Sequence, residues 1–411
     1  MDGAQQRVVI VGAGQAGSRT ALALRQEGWQ GAIVLIGAEN EHPYERPPLS
    51  KDVLQGRALP GDATILSAEQ CQDQGIELRL GEEVRRIDPR ARRLHLHAGR
   101  APLHYDHLVL ATGSRPRCLP LPGAGLDGVH VLRTAADALA IAARLEGGMR
   151  VVLVGGGFIG LEAAASARLR GCRVTVLETA PQLMARVVAA PIAERMMALH
   201  RGRGVEIRTG VRIDGLEGLR EVRRVRLADG SAVDADIVIL GVGALANDGL
   251  PVSAGIRCAD GVIVDRYGRT SAPFVYAAGD LARHEQLWGC GNVRLESWEN
   301  AELQAREVAG ALLDRPAPER GAPWFWTDQF DTNLQIIGFG RARGELVMRG
   351  SCDDRSWCAF LVSDGRIQSA VLHNAGRERR VVAQLIERRI SVSARDLGDI
   401  GRPLRTLAAA A

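Results

Sequence analysis

Of the 52 lysines and arginines in this 411-residue chain, 51 are arginine, and the lone lysine is Lys51. It closes the stretch Pro43-Tyr44-Glu45-Arg46-Pro47-Pro48-Leu49-Ser50-Lys51. An arginine-biased composition would have turned a replaceable surface lysine into arginine. The position therefore calls for a compact ammonium where a planar guanidinium would not do. Pro47 and Pro48 fix their own φ angles and push their predecessors toward extended geometry, so a stiff loop is expected to aim this one charge. The second chemistry-bearing pattern is a pair of glycine clusters, Gly12-Ala13-Gly14-Gln15-Ala16-Gly17 and Gly155-Gly156-Gly157-Phe158-Ile159-Gly160. In each, the first glycine permits a tight turn, the second lets the backbone approach a pyrophosphate, and the third lets helix and strand pack closely. The helix that follows offers free N–H groups and a positive dipole end to phosphates.

One such pattern alone carries little weight. Here each stands in full context. Arg7–Val11 and Arg150–Val154 are apolar runs that read as strands; helical segments reach about Glu27 and Arg170, closed by Gly28 and Gly171; strands follow at 32–36 and 173–177. Two Rossmann-type units are expected. An acidic residue at the end of the second strand binds a ribose. In the first unit that residue is Glu39, one position late; in the second it is Glu178, eighteen residues past Gly160. A carboxylate at Glu178 accepts bonds from the ribose hydroxyls of NAD and repels the extra phosphate of NADP, which favours NADH; Arg186, which could receive that phosphate, is the counter-signal.

Around these units the chain reads as further strands and helices. Leu103–Gly113 holds an apolar run ending in Ala111-Thr112-Gly113, a strand delivering the chain to a nucleotide, and Arg115–Pro122 reads as a linker. The strand from Asp236 to Leu240 leaves the second unit. A strand then ends at Asp280, whose carboxylate can bond a ribityl hydroxyl, and a helix runs from Ser297 to about Leu313. Pro316 and Pro318 mark another linker. The remainder, from about 319, opens with Pro323-Trp324-Phe325-Trp326, continues in strand patterns and closes on a helix near Val381–Arg389.

The bulk numbers describe an ordinary globular chain: 46% hydrophobic, 24% charged, net charge +4. That charge is too small to imply nucleic acid. The polar start Met1–Gln6 reads as no signal peptide, and the longest apolar stretch, Val151–Ala167, reads as a buried strand and helix, not a membrane span. A cytoplasmic protein is expected. The seven cysteines form no Cys-x-x-Cys pair and no metal-ligand spacing, which fits free thiols in a reducing compartment and no metal site.

Seven motifs together carry a resemblance: GAGQAG at 12–17, PYERPPLSK at 43–51, LVLATG at 108–113, VGGGFIGLE at 154–162, VYAAGD at 275–280, ESWENA at 296–301 and PWFWTDQ at 323–329. Over essentially its whole length the chain resembles the FAD-dependent, NADH-using ferredoxin reductases of bacterial oxygenases, both those of aromatic-ring dioxygenases and the putidaredoxin-reductase-like partners of cytochromes P450. The resemblance implies an α/β, glutathione-reductase-like fold with two Rossmann-type domains and a C-terminal α+β domain: FAD binding at 1–112 and 244–318, NAD binding at 113–243, and an end domain at 319–411. It implies that Gly12, Gly14, Ala16, Gly17, Glu39, Arg46, Lys51, Val84, Ala111, Thr112, Gly113, Arg133, Asp280 and Trp298 serve FAD. Gly155, Gly157, Phe158, Ile159, Gly160, Glu162, Glu178, Thr179, Arg186, Gly243 and Glu296 would serve NAD. Lys51 would lie against the flavin ring, paired with Glu162, and Trp326 would join them in catalysis. Ala38 stands where the family often has an acid, so Glu39 would have to substitute in the ribose contact.

The implied reaction is hydride transfer from NADH to FAD, then single-electron transfers to a small [2Fe–2S] ferredoxin. Disulfide reductases of this fold need cysteines beside the flavin, and Arg19–Lys51 has none. Electrons must then pass outward to an external acceptor. Ferredoxins are usually acidic, so Arg341 and Arg343, or Arg377, Arg379 and Arg380, are candidates to receive one. No nucleic-acid or membrane partner is expected, and the chain should be a monomer or weak dimer. The alternative is a binding or signalling flavoprotein like apoptosis-inducing factor, whose relatives share the PPLSK-type loop; the modest charge and absent leader argue against it.

Overall fold

A computed structural model describes residues 6–97, 100–285, 291–338 and 344–409. Cys290, Arg341 and Arg343 lie outside the described residues. The chain divides into two compact units. The first comprises Met1–Arg46, Leu59–Arg115 and Ala244–Arg320; the second comprises Pro47–Ala58, Pro116–Gly243 and Gly321–Ala411. Among the described residues, no helix is long and apolar enough to cross a membrane.

The first unit is organised by a five-stranded parallel sheet in the order Val275–Ala277, His107–Leu110, Arg7–Val11, Ala32–Ile36, Ile76–Arg79. Its central strand is apolar after Arg7 because both faces are covered. Val8 and Ile10 pack with Ala21 and Leu24 of the helix Gln15–Gln26 and with Val308 and Ala309 of the helix Trp298–Leu312. Val9 and Val11 face the opposite way, into a core with Leu108, Leu110 and Leu281. Each fully covered side chain such as Ile10 or Leu24 contributes about 1.5–3 kcal/mol of burial. This sheet and its two helices hold the first glycine turn rigid.

The second unit repeats the plan. Its parallel sheet runs Val205–Thr209, Arg173–Glu178, Arg150–Val154, Ile237–Leu240, Val129–Val131. One face packs on a three-stranded antiparallel layer through Val152, Val154, Val225 and Val238. The C-terminal part adds an antiparallel sheet in the order Trp324–Gln329, Thr332–Gly338, Arg366–His373, Trp357–Ser363, Glu345–Arg349. The helix Arg379–Glu387 buries Val382, Leu385 and Ile386, the one-face spacing of an amphipathic helix. The first hairpin of this sheet turns through Phe330 and Asp331, and Phe330 adopts φ +57°. A bulky residue at positive φ is strained, and the paired strands on either side hold it there.

The Lys51 loop differs from the extended geometry expected of it. Pro47–Ser50 forms a short 3-10 helix, with the Pro48 carbonyl accepting the N–H groups of Lys51 and Val53 at 3.1 Å each. The φ that proline imposes fits a 3-10 turn as well as an extended chain, and the two downstream hydrogen bonds decide between them.

Candidate functional site

The two glycine turns are built alike. Gly12 and Gly155 have φ of +110° and +108°, and a Cβ on them would lie 2.2 Å from the Ala111 carbonyl oxygen and 2.4 Å from that of Gly241. A Cβ on Gly17 or Gly160 would lie 1.8 or 2.2 Å from the carbonyl oxygen of the turn's own first glycine. The middle positions are the opposite case: a Cβ on Gly14 or Gly157 meets nothing within 4 Å. Both are helix N-caps without a side-chain cap, so the first-turn N–H groups are open to an acceptor. Open space beside free donors at a positive helix end fits a pyrophosphate in each unit.

In the first unit further expected residues gather near that turn. Ala16 is buried, and a Cβ on Gly279 would lie 2.8 Å from its methyl. Gly279 opens the 3-10 turn that carries Asp280, whose carboxylate accepts from Ser114 Oγ at 3.0 Å. Thr112 and Gly113 are tied to Asn247: its side chain donates to the Thr112 carbonyl at 2.8 Å and its N–H to that of Gly113 at 3.0 Å. Ala111 and Val84 are buried. Glu39 has both carboxylate oxygens engaged, by Tyr44 Oη at 2.6 Å and Arg46 Nη2 at 2.7 Å. Burial alone would lower the Arg46 pKa; Tyr44 and Glu39 outweigh it and raise it. Trp298 begins the helix capped by Ser297, and Glu296 is held by Arg294.

In the second unit Glu178 lies at the rim of the turn. Its Oε2 accepts from Gly156 N at 2.6 Å, and its Oε1 accepts from Ala180 N at 2.7 Å and Thr179 Oγ1 at 3.2 Å. Arg186 Nη2 lies 3.9 Å from where a Cβ on Gly243 would stand. Phe158 packs on Phe325 with ring centres 5.6 Å apart, while Ile159 is half exposed. Arg133 precedes the helix Ala135–Arg144, its N–H bonded to the Asp137 carboxylate at 3.0 Å.

Lys51, Glu162 and Trp326 come together in this same unit. Lys51 Nζ lies 3.5 Å from Glu162 Oε1 and 2.7 Å from Asp328 Oδ2, and 5.5 Å from the Trp326 ring centre. Glu162 is only 4% exposed. It also accepts from Ser50 Oγ at 2.5 Å, Thr327 Oγ1 at 2.7 Å and Asp328 N at 3.2 Å. The two carboxylates that share the ammonium shift in opposite directions. Burial pushes the Glu162 carboxyl up despite Lys51 and its hydroxyl donors. For Asp328, burial is outweighed by bonds from Lys51 and Asn333, which hold it below the usual carboxylate range. Trp326 Nε1 donates to Asp328 Oδ2 at 3.1 Å, and its ring stacks on Trp324 at 4.9 Å and 17°. Asp328, Ser50 and Thr327 were not singled out from the sequence. Their only signal there was membership of the PPLSK and PWFWTDQ motifs.

Two glycine cradles on two Rossmann sheets, with a lone ammonium shared by two carboxylates, define an oxidoreductase that uses a flavin and a pyridine nucleotide. Residues 6–305 match the pyridine nucleotide-disulphide oxidoreductase family, and residues 324–408 match the reductase C-terminal family. The chain is 39% identical over 401 residues to the biphenyl dioxygenase system ferredoxin–NAD(+) reductase component of Paraburkholderia xenovorans (strain LB400), covering 97% of this chain and 98% of that one. It is 37% identical to putidaredoxin reductase of Pseudomonas putida, covering 99% and 98%. Its structure matches that of the covalent putidaredoxin reductase–putidaredoxin complex with a TM-score of 0.96 at 36% identity, over 99% of both chains. The chain belongs to the pyridine nucleotide-disulphide oxidoreductases, in the branch of ferredoxin reductases that serve bacterial oxygenases.

Proposed function

We propose that this reductase takes a hydride from NADH onto FAD and passes single electrons to an acidic [2Fe–2S] ferredoxin feeding an aromatic-ring dioxygenase or a cytochrome P450. Relatives of both kinds stand at similar identity, 39% for the biphenyl dioxygenase component and 37% for putidaredoxin reductase. The domain assignment that goes with this reading gives FAD to 1–112 and 244–318, NAD to 113–243, and a separate role to 319–411.

Gly12, Gly14, Ala16 and Gly17 would hold the FAD pyrophosphate, and Asp280 and Thr112 lie on elements that end at the same turn. Bound FAD supplies a centre that accepts two electrons at once and releases them singly. The preference for NADH is carried by one observation: Glu178 is tied to Gly156 N, so its charge stands at the rim of the nucleotide turn. There it accepts ribose hydroxyls and repels a 2′-phosphate. Lys51 offers a positive charge to electron density gathering on a reduced ring, and Glu162 and Asp328 keep that ammonium in place. With no cysteine between Arg19 and Lys51, no thiol relays the electrons.

The test is anaerobic stopped-flow reduction of the purified flavoprotein by NADH and by NADPH, followed by mixing with a ferredoxin. Faster reduction by NADH and rapid ferredoxin bleaching are expected. Equal rates with the two nucleotides would remove the role given to Glu178. Slow turnover with a long-lived charge-transfer complex would favour a binding flavoprotein.

A further inference from the structure

The cage around Lys51 continues into the interior of the second unit. Thr327 Oγ1, which donates to Glu162 Oε1, lies 3.1 Å from Gln329 Nε2, and Gln329 Oε1 lies 2.8 Å from His200 Nε2. His200, Thr327 and Gln329 are each 0% exposed. His200 comes from the helix Ala190–Gly202 and the other two from the strand Trp324–Gln329, so the chain of bonds ties a nucleotide-unit helix to the C-terminal sheet.

The far end of that chain, at Glu162, sets its polarity. Glu162 receives four donors: the Ser50 hydroxyl, the Thr327 hydroxyl, the Asp328 N–H and the Lys51 ammonium. Burial raises the Glu162 pKa, but four donors including an ammonium are the surrounding of an ionised acceptor. Thr327 has a single hydroxyl proton, and it points to Glu162. Gln329 must then turn its amino group to Thr327 and its carbonyl oxygen to His200. His200 must in turn carry its proton on Nε2. Its Nδ1 is buried without a hydrogen-bond partner. In this arrangement Nδ1 is a bare lone pair, and a buried unpaired acceptor is tolerated more readily than a buried unpaired N–H. Were Glu162 protonated toward Thr327, the Thr327 hydroxyl would be released to donate to a turned Gln329 amide, and the imidazole proton could then sit on Nδ1. An ionised Glu162 thus requires the Nε2–H tautomer of His200 three hydrogen bonds away.

We propose that His200 and Gln329 are positioning residues for Lys51: the Nε2–H tautomer of His200 fixes the Gln329 amide, Gln329 fixes the Thr327 hydroxyl, and Thr327 holds Glu162 as the ionised partner of the ammonium. The consequence for electron transfer rests on the reading above that Lys51 faces the flavin; the hydrogen-bond chain itself does not.

Three measurements on the FAD-loaded protein test this. The first is the 15N spectrum of histidine-labelled protein, with the His200 signals assigned by their loss in His200→Gln. A neutral Nε2–H ring is expected, and an Nδ1–H ring overturns the proposal without any variant having to fold. The second uses 15N-lysine labelling, which places a single side-chain signal in the spectrum. Gln329→Leu should move that signal, and His200→Gln, whose amide can still donate to Gln329, should leave it near its original place. A signal unmoved in Gln329→Leu overturns the proposal. The third is the flavin midpoint potential and the rate of reduction by NADH. Gln329→Leu should slow reduction on the order of tenfold, equivalent to about 1.4 kcal/mol, and make the potential more negative. A moved lysine signal with unchanged potential and rate supports the positioning chain and overturns instead the placement of Lys51 beside the flavin.

Discussion

Lys51 is one positive charge between two carboxylates, and the nearer of them is the more exposed: Asp328 at 2.7 Å has 42% of its side chain exposed, Glu162 at 3.5 Å only 5%. Removing the ammonium leaves Glu162 charged and buried with three neutral donors, a costly arrangement. Lys51→Ala is expected to fold, to hold FAD less tightly, and to be reduced by NADH on the order of a hundredfold more slowly, the scale of losing one preorganised electrostatic donor. Rapid-mixing absorbance at the flavin band and FAD titration measure both; unchanged values would make the lysine a chance survivor of an arginine-rich composition. Glu178 carries a separate expectation at this scale. Glu178→Ala removes the charge at the nucleotide rim, so the ratio of NADH to NADPH efficiency should fall, chiefly by a lower KM for NADPH. A ratio unaltered by the substitution would pass the discrimination to another residue.

At the scale of elements, the glycine turns separate folding from binding. Gly12→Ala forces an L residue to φ +110° with its Cβ 2.2 Å from a carbonyl oxygen. The backbone strain alone is about 1–3 kcal/mol, and the steric clash adds to it, so the melting temperature should drop whether or not FAD is present. Gly14→Ala meets open space. It should leave the melting temperature of the apoprotein unchanged and weaken FAD binding, because the added methyl occupies the approach to the pyrophosphate. Loss of apoprotein stability in Gly14→Ala would contradict the open cradle. These turns were legible in the sequence because they are local: strand, turn and helix are contiguous, and every glycine has a reason within a few residues or in the adjoining strand. The cage of Lys51 was legible only in part. Glu162 could be paired with Lys51 through resemblance, but Asp328 stands 277 residues away along the chain, and its contact with Lys51 is a tertiary one that no short-range pattern encodes. Gln329 shares only the motif signal of Asp328, and His200 has none. The 3-10 shape of the Pro47-Pro48 loop was not legible because φ alone does not choose between an extended segment and a 3-10 turn.

Across the whole molecule the charge is nearly balanced, at +4, so any steering of a partner must come from local clusters. Arg377, Arg379 and Arg380 are exposed around the start of the helix Arg379–Glu387, and the Arg379 guanidinium sits 4.4 Å from the Trp324 ring centre. If these arginines receive an acidic ferredoxin, its reduction rate should fall steeply as ionic strength rises past the point where the Debye length shrinks below about 8–10 Å. Reduction of the flavin by NADH should respond far less. Ferredoxin reduction indifferent to salt would exclude an electrostatic dock. The composition that left a single lysine also decides how such a complex can be captured. Carbodiimide coupling joins a carboxylate to an amine, and this chain has 48 carboxylate side chains and one side-chain amine, largely covered. A zero-length bond between side chains of reductase and ferredoxin must therefore run from a lysine of the ferredoxin to an aspartate or glutamate here. An arginine dock for an acidic partner would leave its own contacts unlinked, and the cross-links would map its margin.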